Sequence, residues 1–92
     1  MAEKINCSFK IINQKGLHAR ASAKLVETVE LFDASAEISK DGLNACGDSI
    51  MGLLMLAASQ GTSIDVEILG VQSLELADAL ETLISNRFGE DY

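Results

Sequence analysis

Residues 5–32 read INCSFKIINQKGLHARASAKLVETVELF, and within this stretch the spacing of apolar residues changes period once. Ile5, Cys7, Phe9 and Ile11 alternate with polar neighbours, the period of two expected of a strand buried on one face. After a turn at Gln14-Lys15-Gly16, Ala21, Leu25, Val29 and Phe32, with Val26 alongside, fall on one side of a helix. The sequence therefore predicts a strand that runs through a glycine turn straight into a helix. The chain's single histidine, His18, stands at that junction.

Outward from this unit, Ala34, Ala36 and Ile38 alternate as a second strand, and Asp41-Gly42 marks a two-residue hairpin into a third, Leu43 to Cys46. Gly47-Asp48-Ser49 offers cap residues for a helix over IMGLLMLAAS, residues 50–59, ended by Gln60-Gly61. Ile64, Val66 and Ile68 form a fourth strand closed by Gly70. A last helix from Ser73 carries Leu76, Leu80, Leu83 and Ile84 on one side and ends at Asn86-Arg87 and Gly89. The order β-α-β-β-α-β-α, without proline, repeat or linker, predicts an α+β two-layer fold, an antiparallel sheet with the helices on one face.

Ninety-two residues at 48% apolar content suffice for one modest core, so residues 1–92 are read as a single domain. No apolar run is long enough to span a membrane, and MAEKINCSFK lacks the order of a signal peptide, so a cytoplasmic protein is expected. Cys7 and Cys46 lie far apart and outside any C-x-x-C pair, which with one histidine predicts neither a metal site nor a cofactor. A net charge of −7 argues against nucleic acid and anionic membranes as partners. That charge is unevenly spread. Residues 4–26 carry Lys4, Lys10, Lys15, Arg20 and Lys24 and no carboxylate, so this segment is +5 and the remainder −12. The local sequence thus clears carboxylates from around His18, which would favour an incoming anion.

The middle helix is apolar almost all round: Ile50, Met51, Leu53, Leu54, Met55, Leu56, Ala57 and Ala58. A helix lying on a sheet needs one apolar stripe, so in a domain this small part of that surface should face solvent and a partner. Met51, Leu54 and Met55 are the expected exposed members, since thioethers suit surfaces that meet several partners.

A lone histidine is ordinarily a structural or solvated residue. Here the first helical turn holds no acidic side chain before Glu27, leaving the free N–H groups and the positive end of the helix dipole without an anion. A phosphate there would gain about 0.3 to 2 kcal/mol from the helix end and about 1.5 to 3 kcal/mol from Arg20. Gly16, Leu17, Ala19 and Arg20 are the candidate phosphate seat around His18. The ring could bind a phosphorylated ligand or itself take the phosphoryl group as nucleophile. No phosphate-binding P-loop, H-E-x-x-H or G-x-S-x-G motif is present to process a bound substrate.

GLHAR at 16–20 followed by SIMGLLML at 49–56, on a chain of this length and element order, resembles the HPr family, the histidine phosphocarriers of the bacterial phosphoenolpyruvate-dependent phosphotransferase system. The resemblance covers essentially the whole chain. It implies an open-faced β-sandwich, a four-stranded antiparallel sheet with three helices on one face, in a monomeric carrier that is not an enzyme. It further implies that His18 receives a phosphoryl group on Nδ1 from enzyme I and passes it to an EIIA-type domain, with Arg20 binding phosphate. Ser49 would match the serine modified by HPr kinase/phosphorylase, and Ile50, Met51 and Leu54 the docking surface. One departure is Ala21, where the family pattern GLHARP has proline. The combination GLHARASAK with SIMGLLMLAASQG is similar to forms of the nitrogen-related branch, which serve regulation more than sugar uptake. The alternative function is a regulatory protein whose phosphorylation state is sensed by partners with little onward transfer.

Overall fold

The computed structural model describes residues 3–92. Strand β1, Glu3–Lys10, leads through the Gly16 turn to helix α1, Ala19–Glu30. Strands β2, Ser35–Lys40, and β3, Leu43–Cys46, make the hairpin at Asp41-Gly42. Helix α2, Ile50–Met55, precedes β4, Ser63–Gly70, and helix α3, Ser73–Ser85, after which Arg87–Gly89 form a short 3-10 turn. The strands lie in the order β1-β4-β2-β3, every neighbouring pair antiparallel. This is the four-stranded sheet with three helices that the sequence pattern predicts.

Alternation decides which sheet face is covered. Ile64, Val66 and Ile68 of β4 and Ala36 and Ile38 of β2 are buried, and they join Leu25 and Val29 of α1 and Leu76, Leu80 and Ile84 of α3 in one core. The intervening residues Asp65, Glu67 and Glu37 are exposed. Polar pairing covers that outer face: Lys4 meets Glu67 at 3.3 Å, and Ser8 Oγ donates to Asp65 at 3.0 Å. Strand β1 is an edge, which leaves Ile5, Cys7 and Phe9 only half-buried against the core.

Helix α2 departs from the expected span of 50–59. It ends after Met55, and Ala57 turns left-handed at φ 52°. Alanine favours helix, but here Ala58 drops into the core and its carbonyl accepts the Leu17 N–H at 2.8 Å. A tertiary contact outweighs local propensity. The apolar surplus of α2 leaves Leu53 buried and, as expected, Met51, Leu54 and Met55 exposed, with Met51 71% and Met55 75% exposed and Leu54, like Ile50, about half that.

This division yields a test. Leu53→Ala should cost about 2 to 5 kcal/mol in chemical denaturation, because it empties core volume, while Met51→Glu should stay within about 0.5 kcal/mol of wild type. Equal losses would mean that α2 is buried on both sides.

Candidate functional site

The site begins with a turn that only glycine can make. Gly16 has φ +67°, and a Cβ there would lie 2.5 Å from the Ala58 carbonyl oxygen. The close approach lets Leu17 N–H reach Ala58 and brings the start of α1 against the loop after α2. Ser22, fully buried in the first turn of α1, donates from Oγ to Leu17 O at 3.1 Å and fixes the turn to the helix.

His18 is the residue that caps α1, in extended conformation, and its side chain makes no capping bond. The backbone N–H groups of Ala19, Arg20 and Ala21 are therefore the free donors at this helix end. Gly16 and Leu17, expected among the phosphate-binding residues, have their N–H groups committed to Asn13 O and Ala58 O. They shape the seat, and Ala19 and Arg20 remain to line it. Arg20 is exposed and, among the described residues, enters no salt bridge. His18, Lys15, Leu17 and Leu54 line one shallow concavity beside Ala57–Ser59, so a residue of the apolar patch adjoins the histidine. Ser49 stands at the far end of α2, where Oγ accepts the Gly52 N–H at 3.0 Å as an N-cap.

The clearance of carboxylates from His18 does not survive folding. Glu90, 72 residues away in sequence, places Oε2 against His18 Nε2, which donates to it. Its Oε1 accepts from Asn13 Nδ2 at 2.9 Å, and the same Asn13 nitrogen donates to Gly16 O at 2.8 Å. Asn13 is fully buried, and its Oδ1 has no partner. One amide thus ties Glu90 to the turn that carries His18.

The tail is held for this purpose by several restraints. Phe88 is fully buried, Lys24 Nζ donates to Phe88 O at 2.6 Å, and Gln14 N–H donates to Tyr92 O at 3.0 Å. Arg87 and Phe88 both adopt φ 54°, a left-handed conformation that costs a non-glycine residue about 1 to 2 kcal/mol. Sequence reading took Gly89 for a helix end. The overlooked signal was Phe88, an aromatic too large to leave in water just past the helix it follows.

Burial of the Glu90 carboxyl acts to raise its pKa, but hydrogen bonds from Asn13 and His18 and the charges of His18 and Lys15 outweigh that, and the net position is below the ordinary value of 4.5. Lys15, Arg20 and Lys24 share a second concavity with Glu90, Asp91 and Tyr92. The site as a whole is an imidazole ring flanked by cations and free backbone donors, with one carboxylate opposite. Among the described residues no group of three or more possible metal ligands occurs, and no helix is long and apolar enough to cross a membrane.

An antiparallel sheet backed by helices, with a histidine at a helix start beside free backbone donors and an exposed arginine, makes a small domain whose helix end can seat an anion. Comparison with known proteins gives the family. The profile described as the phosphorylation site of the phosphotransferase-system HPr component matches residues 5–86, and the chain belongs to the HPr family. It is 48% identical over 80 residues to the phosphocarrier protein HPr of Cupriavidus necator, covering 87% of this chain and 90% of that one. Identity to the phosphocarrier protein NPr of Proteus mirabilis is 37% over 82 residues, 88% of this chain and 91% of that one. The crystal structure of an HPr from Thermoanaerobacter tengcongensis superposes with a TM-score of 0.90 at 34% identity, over 96% of this chain and 99% of that one. Members of this family are carriers, not enzymes.

The lowered Glu90 pKa fixes a pH dependence. A carboxyl whose folded value lies below its unfolded value contributes stability that is complete above about pH 4.5 and is lost as pH falls through the folded value. The stability difference between wild type and Glu90→Gln should therefore shrink on acidification below about pH 4.5. A difference independent of pH in that range would mean that the carboxylate is unpaired in solution.

Proposed function

We propose that His18 is the phosphoryl acceptor of this carrier, taking the group from enzyme I and passing it to an EIIA-type domain. The observation that carries the reading is the placement of His18 at the start of α1, beside the N–H groups of Ala19, Arg20 and Ala21 and the exposed guanidinium of Arg20. With Nε2 engaged by Glu90, Nδ1 is the nitrogen left to attack phosphorus. Arg20 and the helix end stabilise the transferring oxygens through charge-assisted bonds. The protein acts as a cytoplasmic monomer and binds its partners through Ile50, Met51 and Leu54. Leu54 shares a concavity with His18, so a partner covering the apolar patch delivers its reactive group beside the ring.

A nitrogen-related, regulatory branch is the finer assignment. The motif combination GLHARASAK with SIMGLLMLAASQG and the likeness to the Proteus NPr support it. The higher identity to the Cupriavidus HPr favours the general branch. Transfer rates to acceptors of each branch decide between them. The alternative, a sensor that keeps its phosphoryl group, would show phosphorylation by enzyme I and negligible transfer to any acceptor.

Incubation with enzyme I and labelled phosphoenolpyruvate, then acid, tests the central reading. Wild type should carry acid-labile label, His18→Ala none, and Arg20→Ala should be about 10- to 100-fold slower, since the N–H groups remain. Wild-type labelling of the His18→Ala protein would remove the histidine from the mechanism.

Ser49 is proposed as a regulatory phosphorylation site for a kinase of the HPr kinase/phosphorylase type. Its hydroxyl already caps α2, a role worth about 1 kcal/mol alone. A phosphate there adds about −1.5 to −2 charges at a helix start, which suits the fold but burdens any partner that must bury Ile50, Met51 and Leu54. Ser49→Asp should keep its thermal midpoint within a few degrees, roughly the shift from 1 kcal/mol, yet accept phosphoryl groups much more slowly, whereas Ser49→Ala transfers normally. Identical transfer by Ser49→Asp and wild type would reduce Ser49 to a cap.

A further inference from the structure

We propose that Glu90 is a positioning residue for phosphoryl transfer: its carboxylate holds the His18 ring proton on Nε2 and so keeps the lone pair on Nδ1, turned to the role of nucleophile. The inference rests on the reading of His18 as acceptor.

A neutral imidazole carries one proton on either nitrogen, and the tautomer is set by what each nitrogen touches. Glu90 Oε2 accepts from Nε2, and among the described residues His18 has no other side-chain partner. The carboxylate is an acceptor only, so the proton must reside on Nε2. Its aim is not left to a mobile tail. Asn13, fully buried, fixes Oε1 at 2.9 Å, and the left-handed Arg87 and Phe88, the buried Phe88 ring and the Lys24 bond to Phe88 O fix the backbone. A strained segment held by this many restraints at a reactive ring indicates a functional constraint.

In the transfer step the Nδ1 lone pair forms the new P–N bond while the bond from phosphorus to the donor's leaving atom breaks, and its electron pair departs with the donor. The Nε2 proton stays in place. The product ring gains positive character, and the Glu90 carboxylate, bonded to Nε2–H, stabilises that charge where it develops.

The test measures tautomer and rate together on the full chain, by 15N shifts of the His18 ring near neutral pH and by labelling with enzyme I. Wild type should show the Nε2–H form. Glu90→Ala should show a mixture and accept phosphoryl groups about 3- to 10-fold more slowly, the factor for one lost hydrogen bond. Glu90→Gln keeps one acceptor oxygen for two donors, Asn13 Nδ2 and His18 Nε2–H, so it should fall between wild type and Glu90→Ala in both tautomer and rate. A slow Glu90→Ala protein with an unchanged tautomer would overturn the proposal, since the tail would then act only as a structural clamp. So would a Glu90→Ala protein as fast as wild type. Absence of label on wild type itself would instead refute His18 as acceptor, an outcome distinct from both.

Discussion

The close contact between Gly16 and the Ala58 carbonyl is the constraint on which the site depends. No side chain fits between the turn before α1 and the loop after α2, and the backbone at Gly16 is left-handed besides. Because the two segments touch, Leu17 N–H is spent on Ala58 and the first free donors of α1 are those that follow His18, Ala19 to Ala21. Because Ala57 must turn left-handed to present Ala58, α2 stops at Met55 and its apolar residues end beside the histidine. One steric requirement thus sets both the anion-binding end of α1 and the distance from it to the exposed patch.

Electrostatics at His18 are a balance between two signs of charge. The run from Lys4 to Lys24 supplies cations and no carboxylate, yet Glu90 returns from the far end of the chain to occupy the ring's Nε2 side. In the proposed mechanism a phosphoryl group on the other nitrogen would bring its charge towards Arg20 and the helix end, while Glu90 would face a ring made more positive by phosphorylation. The carboxylate would therefore oppose the incoming anion at longer range and stabilise its product at contact distance. On that proposal the contact term is the larger, because the hydrogen bond acts in a half-buried pocket, with His18 26% and Glu90 14% exposed, whereas the repulsion acts over a longer path that solvent screens.

Strands, helices and hairpin were legible because each depends on local alternation: β4 reads as a buried and exposed ladder, and α1 shows its stripe from Ala21 to Val29. Ser49 as a cap followed from its place before an apolar run. What could not be read was contact between remote residues. The end of α2 is decided by Leu17, some forty positions upstream, and the occupant of the His18 site lies 72 positions downstream. Charge counted in a window around His18 describes the unfolded neighbourhood, and the fold replaced it with Glu90.

The substitution of alanine for the family's proline at position 21 changes the site in two opposing ways. Proline would fix φ in the first turn, while Ala21 leaves that conformation to packing, which the fully buried methyl group and the Ser22 bond to Leu17 O provide. Proline also has no N–H. Ala21 keeps one, and among the described residues it has no backbone acceptor, while Leu17 O, four positions earlier, accepts from Ser22 Oγ. The chain thus exchanges a preset dihedral for a third donor at the helix end that His18 caps. A phosphoryl group held there as proposed would have the N–H groups of Ala19, Arg20 and Ala21 within its seat, and the rigidity that proline would have supplied comes instead from a buried serine one residue further on.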